Sequence, residues 1–259
     1  MPPDLKRGRV RLVGAGPGAA DLLTLRALRA IEGAQAILYD ALVPAEVLAL
    51  APGPCLKIQT GKRAGRASMA QATINRLMLR LARRGLEVVR LKGGDPSIFG
   101  RVGEEREFLQ AHGIEVEVVP GITAACAAAA QFGFPLTHRG EARRLLIATA
   151  RVTGGALVEE GWAAAADPET TVALYMGRDQ AGAVADQLVR QGRSASTPAI
   201  AVENAGHAGS RAISSTLGGL AAAIDAAQPT GPVVLLIGDV AARADIASVG
   251  RREVRSAGI

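Results

Sequence analysis

Short apolar runs alternate with amphipathic stretches through the first half of the chain. The runs are apolar on both faces, as buried parallel strands are, and they cover Val10–Val13, Ala36–Tyr39, Leu56–Ile58, Val88–Leu91 and Val116–Val119. The stretches between them repeat apolar residues at helical spacing over Leu22–Ile31, Met69–Arg84 and Glu104–His112. This alternation predicts a β-α-β series built on a parallel sheet.

Two of these helices carry start signals in the sequence. Asp21 is placed to cap the helix that begins at Leu22. Ser68 and Gln71 have the spacing of a capping box at the start of the next helix, and Gly85 supplies its C-terminal stop.

A second, less regular series follows a connector over Phe134–Gly140. Its apolar runs cover Leu145–Ala148, Val172–Met176, Ile200–Val202, Ala212–Ser214 and Val233–Ile237. Helical patterns separate some of them, over Gln180–Gln191 and Leu217–Ala227. We therefore expect two α/β domains, one over residues 1–138 and the other over residues 139–259.

The composition narrows the class of protein. Hydrophobic residues make up 49% of the chain, but the apolar stretches are too short and too rich in alanine to cross a bilayer. The first residues lack the apolar core of a secretory signal, and Cys55 and Cys126 cannot form a disulfide framework. We expect a reduced, cytoplasmic protein without a membrane partner.

The chain is basic, with a formal net charge of +6, which favours an anionic partner. Aromatic residues, on which nucleic-acid bases would stack, are only 3% of the total. An anionic small molecule fits the charge as well, and we expect no nucleic acid.

Four glycine-bearing turns stand where predicted strands end. They are Gly14–Gly18, Gly61–Arg63, Lys92–Pro96 and Pro120–Thr123. Ligands of open α/β sheets bind outside the carboxyl ends of the strands, and glycine lets a backbone approach a ligand closely. Turns at one edge of one sheet therefore predict a pocket, in which Gly93 and Gly94 would offer bare amides.

The first turn also matches the G-x-G-x-x-A fingerprint of dinucleotide sites, with Asp40 at the end of the next strand. Pro17, however, has no N–H to offer a pyrophosphate. The turn suits a nucleoside or a thioether better than a phosphate, although a tight turn without a ligand has the same pattern. A nicotinamide-dependent oxidoreductase and a non-catalytic basic binding module are the alternative hypotheses.

Asp40 and Lys62 both follow strand ends, which makes them candidates for general acid–base chemistry at the same edge of the sheet. The alternative for each is a solvated turn residue. The three histidines, His112, His138 and His207, lack the spacing of metal ligands. We predict no metal.

Longer motifs around these turns resemble the tetrapyrrole methylases. The resemblance rests on Val10–Gly18, Leu23–Leu25 and Leu38–Val43. It is narrowed to the branch that methylates uroporphyrinogen III by Gly61–Gly65, Arg90–Arg101, Val119–Ala124, Pro135–Arg139 and Tyr175–Gly177. The similarity covers nearly the whole chain, and the K-G-G-D-P-x-I-F-G-R and P-L-T-H-R runs are its most specific parts.

The resemblance implies two α/β domains with S-adenosylmethionine in the cleft between them, and a homodimer. It also implies methyl transfer to rings A and B of uroporphyrinogen III, which gives precorrin-2 by way of precorrin-1 and leaves S-adenosylhomocysteine. That product feeds sirohaem and cobalamin synthesis. The carboxylates of such a substrate suit a basic chain.

The same resemblance assigns roles to individual residues. The cofactor would be contacted by Pro17, Gly93, Gly94, Asp95, Ile98, Thr123, Ala124, Met176 and Ala205. Asp40 takes the position of a proton acceptor, and Lys62 that of a proton donor. Our own choices for the substrate carboxylates are Arg101, His138 and Arg139. The chain departs from the usual residues of the family at Ala19, Ala67, Val102, Ala150–Arg151 and Ala205–Gly206.

Overall fold

The computed structural model of the chain describes residues 8–61, 69–150, 152–153, 156–157 and 162–246. The chain divides into two compact units, of which the first ends at Thr123 and the second begins at Ala124. Within the described residues, no helix is long and apolar enough to cross a membrane.

The first unit is built on a parallel sheet. Its strands in the described part of the chain are β1 (Val10–Gly14), β2 (Ala36–Tyr39), β3 (Leu56–Gln59), β4 (Val88–Lys92) and β5 (Val116–Val119). They pair in the order β3-β2-β4-β1-β5, and each pairing is parallel. The predicted strands and the parallel sheet are confirmed, with ends that differ by no more than about one residue.

Helices cover both faces of this sheet, which is why the inner strands β1, β2 and β4 bury residues on both faces. They are α1 (Leu25–Glu32), α2 (Ala45–Ala49), α3 (Gln71–Arg83) and α4 (Val102–Ala111), with a 3-10 turn over Ala20–Leu22. α1 and α2 pack on Ile37 and Leu91 on one face, and α3 and α4 pack on Leu12 and Leu38 on the other.

Both predicted start signals were wrong. Thr24 caps α1, because its Oγ1 accepts a backbone hydrogen bond of 3.1 Å in the first turn, so Asp21 is not the cap. α3 begins at Gln71, which is therefore too early in the helix to close a capping box. The Gln71 side chain instead donates to Glu105 at 3.0 Å. Ser68 lies outside the described residues.

The second unit contains a mixed sheet and a separate pair of short antiparallel strands. Its described strands are β6 (Arg144–Thr149), β7 (Val152–Thr153), β8 (Ala156–Leu157), β9 (Thr170–Tyr175), β10 (Pro198–Glu203), β11 (Arg211–Thr216) and β12 (Val233–Ile237). The larger sheet has the order β11-β10-β12-β9-β6, and β7 pairs with β8. β12 is antiparallel to both β9 and β10, so those two strands run in the same direction and end at the same edge.

Helices cover this sheet on both faces as well. They are α5 (Ala124–Gln131), α6 (Ala163–Ala166), α7 (Ala181–Arg190) and α8 (Leu220–Ala227), with 3-10 turns over Arg178–Gln180 and Asp239–Arg243. α5 buries Ala125 and Ala128 against Ile200 and Leu236 of the second sheet. Because this helix belongs to the second core, the division falls before α5 and not near residue 139, where we expected it.

Candidate cofactor and active site

The strand order decides which turns are neighbours at the carboxyl edge of the first sheet. β4 lies between β2 and β1, and β5 lies on the other side of β1. Four segments therefore follow one another along this edge, namely Asp40 after β2, Gly93–Pro96 after β4, Ala15–Gly18 after β1 and Pro120–Thr123 after β5.

Backbone hydrogen bonds join the first and third turns. The N–H of Gly94 donates to the carbonyl of Gly16 at 2.7 Å, and the N–H of Gly16 donates back to Gly94 at 3.3 Å. The N–H of Ala15 also donates to the carbonyl of Lys92, at 2.7 Å. The amide of Gly94 is thus used inside the protein, and the expectation that it is bare was wrong.

Three glycines, Gly14, Gly94 and Gly121, bring their backbones into direct contact and form what we call the turn stack. A Cβ placed on Gly121 would lie 2.3 Å from the carbonyl oxygen of Gly94, and a Cβ on Gly14 would lie 2.6 Å from the nitrogen of Gly121. A Cβ on Gly94, in contrast, would meet no atom within 4 Å. The three backbones therefore leave no room for a side chain between the turns, whereas the space in front of the Cα of Gly94 is open.

Asp95 ties the third turn to the fourth. Its Oδ1 accepts a hydrogen bond from the N–H of Ser97 at 2.7 Å, and its Oδ2 accepts one from the N–H of Gly121 at 3.0 Å. Ile98 closes the same turn by donating its N–H to the carbonyl of Asp95 at 3.2 Å. The described contacts of Asp95 are therefore structural, and its contact with a cofactor stays a prediction.

Asp40 lies at the carboxyl end of β2, and its side chain is 32% exposed. Its Oδ1 accepts hydrogen bonds from the buried guanidinium of Arg90 and from Oγ1 of Thr60, the latter at 3.3 Å. The carboxylate is thus held in place and still open to solvent. Lys62, the predicted proton donor, lies outside the described residues.

Asp40 is one end of a network of charged side chains that sequence analysis missed, and the other members of the network are buried. Nε of Arg90 donates to Glu105 at 3.2 Å, and Nζ of Lys92 donates to both oxygens of Glu105 at 3.0 Å. Burial, and next the Arg90 cation, lower the pKa of Lys92, whereas Glu105 acts in the opposite direction. The signal was an arginine inside the apolar run Val88–Leu91, because a charge buried there needs a partner.

Arg101, a predicted substrate residue, is exposed and already paired. It has a left-handed backbone with φ of 56°, and its guanidinium donates to both carboxylate oxygens of Glu104 at 2.8 and 2.6 Å. This hydrogen bonding raises the pKa of Arg101 and lowers the pKa of Glu104. A substrate carboxylate would share the guanidinium with Glu104 or displace that side chain.

His138 and Arg139 belong to the second unit. His138 and Ala142 exchange two backbone hydrogen bonds of 2.9 Å, which close a tight turn. Nδ1 of His138 lies 3.7 Å from Oε1 of Glu141, and Arg139 is exposed on the same turn. Their contact with substrate stays a prediction.

The residues predicted to contact the cofactor from the second unit share an edge of its sheet. Met176 follows β9 and Ala205 follows β10, and these strands end at the same edge. Met176 is 66% exposed and has φ of 53°, an uncommon backbone conformation for a non-glycine residue and one that is enriched at functional sites. The N–H of Ala125 donates to the Tyr175 hydroxyl at 2.9 Å, which joins the start of α5 to the side chain of the residue before Met176.

Glu203 fixes the loop beside Ala205. Its Oε1 accepts hydrogen bonds from the N–H groups of Thr230 and Gly231 at 2.6 and 2.7 Å, and its Oε2 pairs with Arg211 at 2.8 Å. These contacts, the Gly231 amide first among them, lower the pKa of Glu203.

Comparison with known proteins assigns the chain to a family. The family model for tetrapyrrole (corrin/porphyrin) methylases matches residues 9–221. The chain is a tetrapyrrole methylase. The turn stack, Asp40 and the Arg101 turn all lie inside the matched residues.

Individual tetrapyrrole methylases are similar over most of the chain. The uroporphyrinogen-III C-methyltransferase of Paracoccus denitrificans is 45% identical over 238 residues, which are 92% of this chain and 83% of that protein. The sirohaem synthase of Azotobacter vinelandii is 44% identical over 90% of this chain, but the match is only 50% of its own length. The chain thus spans about half the length of that second relative.

Solved structures confirm the predicted fold class of two α/β domains of the tetrapyrrole methylase type. The uroporphyrin-III C-methyltransferase of Thermus thermophilus, complexed with S-adenosylhomocysteine, has a TM-score of 0.77 and 40% identity, covering 91% of this chain and all of its own. Cobalt precorrin-4 methyltransferase has a TM-score of 0.80 at 27% identity, covering 89% of this chain and 94% of its own.

Proposed function

We propose that this chain is an S-adenosylmethionine-dependent C-methyltransferase acting on uroporphyrinogen III. It methylates rings A and B and gives precorrin-2 by way of precorrin-1, for sirohaem or cobalamin synthesis. The observation that carries this proposal is the 45% identity to the Paracoccus enzyme over 92% of this chain. The hypothesis of a nicotinamide-dependent oxidoreductase rested only on the G-x-G-x-x-A fingerprint with Asp40, and that of a basic binding module on the net charge. The family match over most of the chain is stronger evidence than either, so it replaces both hypotheses.

The first and third turns, which hold Pro17 and Gly94, fit an adenosyl cofactor. Gly94 faces open space, and Pro17 presents an apolar ring without an N–H, which suits a nucleoside or a thioether. We assign cofactor contacts to Pro17, Gly93, Gly94, Asp95, Ile98 and Thr123 of the first unit and to Ala124, Met176 and Ala205 of the second. When bound, S-adenosylmethionine supplies a methyl group that its sulfonium has already activated.

The protein has three tasks in this reaction. It must align the pyrrole carbon with the methyl donor, exclude water, and accept the proton that the methylated ring system loses. We assign the acceptor role to Asp40, whose carboxylate is fixed and partly exposed. Lys62 is the proposed proton donor, and Arg101, His138 and Arg139 bind substrate carboxylates. None of these roles needs a metal, and among the described residues no His, Cys, Asp or Glu side chains are grouped as metal ligands.

We also propose that the chain forms a homodimer in the cytoplasm, as the resemblance to relatives led us to expect. A sizing experiment on the purified protein would test the first of these assignments.

Incubation with uroporphyrinogen III and S-adenosylmethionine tests the proposed reaction. The expected product, read by mass spectrometry, is doubly methylated precorrin-2. Calorimetric titration should show that S-adenosylhomocysteine binds and that NAD does not. Folded protein that binds neither ligand and makes no methylated tetrapyrrole would contradict the proposal.

A further inference from the structure

We propose that Arg90 and Thr60 are positioning residues for Asp40. They hold one carboxylate oxygen, Oδ1, and leave the other, Oδ2, available to the substrate. This inference rests on the proposed function, because it concerns the orientation of the group that accepts the proton.

Asp40 is held from both sides by the strands next to its own. Arg90 lies within β4, where it pairs in register with Leu38 of β2, and Thr60 follows β3 on the other side of β2. The guanidinium of Arg90 donates to Oδ1, and the Thr60 hydroxyl lies 3.3 Å from Oδ1 and 3.0 Å from the carbonyl of Tyr39, so its one hydrogen is shared between these two acceptors. Within the described ranges, no hydrogen bond reaches Oδ2, and the Asp40 side chain is 32% exposed.

Arg90 is itself fixed along its whole guanidinium. Its Nη1 donates to the carbonyls of Leu38 at 3.4 Å and Leu91 at 3.2 Å, and its Nε donates to Glu105 at 3.2 Å. Glu105 is completely buried and is held in turn by Lys92 at 3.0 Å. The guanidinium therefore has a single well-defined direction in which to meet Asp40.

Stability alone gives a weak reason for such an arrangement. Taking ion pairs out of water costs several kcal/mol for each ion, and well-packed apolar side chains often stabilise a core as well or better. Proton transfer, in contrast, depends on placing the acceptor within hydrogen-bond reach, and an error of about 1 Å in position can cost a hundredfold in rate. The buried charges thus serve the geometry of Asp40.

Two substitutions remove the positioning contacts in different ways. Thr60→Val keeps the shape of the side chain and removes the hydroxyl, without leaving a buried charge. Arg90→Lys keeps the charge and loses the planar fork. Thr171→Val is the matched control, because Thr171 is also a buried threonine and its Oγ1 has no described hydrogen-bond partner.

We expect Thr60→Val to lower kcat about threefold to tenfold, as for loss of one hydrogen bond, and Arg90→Lys to lower it about tenfold to a hundredfold, as for a charged one. The affinity for S-adenosylhomocysteine should stay at the wild-type value, because neither residue belongs to the turn stack. Thr171→Val should leave both kcat and affinity unchanged.

A double-mutant cycle separates positioning from general structural damage. In an Asp40→Asn background, Thr60→Val should cause no further loss of kcat, because the carboxylate that the Thr60 hydroxyl orients would already be absent. An equal loss in both backgrounds, or a Thr60→Val protein with wild-type kcat, would overturn the proposal. If Arg90→Lys does not fold, Thr60→Val decides alone. An inactive wild-type enzyme would instead refute the proposed function itself.

Discussion

Replacing Gly121 by alanine should push the turns of the first unit apart. The added Cβ would lie 2.3 Å from the carbonyl oxygen of Gly94 and 2.9 Å from Cα of Gly14, whereas ordinary van der Waals contact begins at 3.4 Å. Both neighbours are backbone atoms, so no side chain can rotate out of the way. The backbone must therefore move by about an ångström.

The size of the effect follows from the contacts that this movement would break. Overpacking of a well-packed site costs about 1–3 kcal/mol. The hydrogen bonds from Gly94 to Gly16 and from Gly121 to Asp95 lie on either side of the contact, and each is worth about 1 kcal/mol. We expect the first unit to lose about 2–4 kcal/mol of stability and the affinity for S-adenosylhomocysteine to fall at least about tenfold.

The assay must report on the first unit alone. Trp162, the only tryptophan, lies in the second unit, so its fluorescence follows the other half of the chain. Hydrogen exchange of peptides covering residues 88–101 and 116–124 measures local opening of the turn stack directly. Calorimetry on the same sample gives the affinity.

Gly53→Ala is the matched control for this substitution. Gly53 is exposed, and a Cβ there would meet nothing within 4 Å, so the change should stay within about 0.5 kcal/mol. If Gly121→Ala exchanges and binds like Gly53→Ala, the turns are not packed as described and the reasoning is refuted.

The remaining predictions concern the cofactor, the proton acceptor and acid stability. Gly94→Val should abolish S-adenosylhomocysteine binding. The control is Gly192→Val in the second unit, where the glycine also has a positive φ and open space at Cβ, and this change should only destabilise the protein. Equal affinity in the two variants would place the pocket elsewhere. Asp40→Asn should keep cofactor affinity and lose most turnover in a single-turnover assay, and unchanged turnover would remove its proposed role. Glu203→Gln should lose about 2 kcal/mol at neutral pH. The folded pKa of Glu203 lies below its ordinary value of 4.5. The stability that this carboxylate contributes is therefore present above pH 4.5 and lost as the pH falls through the folded pKa. Urea titrations of the wild type and of Glu203→Gln should then give free energies of unfolding that converge in acid. Curves that stay parallel down to acid pH would contradict this.

Local pattern predicted the strands and the turns well. β2, β5 and β12 have the predicted ends, because a mostly apolar run and the polar or glycine-bearing residues that follow it are neighbours in the sequence. The start of α1 was misplaced because Asp21 is by residue type a better cap than Thr24, and residue type alone does not show where the helix begins. The division between the units was misplaced because α5 is nearly all alanine, a sequence that does not say which core it joins.

The sequence by itself therefore determined the fold class, the parallel sheet and the row of turns along its edge, because hydrophobic period and turn chemistry act over a few residues. Only the tertiary structure decided that Gly94 uses its amide on Gly16, and that Arg90 joins Asp40 to Glu105. Those partners lie far apart in the chain. They meet only because β4 lies between β1 and β2, and strand order is set by long-range packing that no local pattern records.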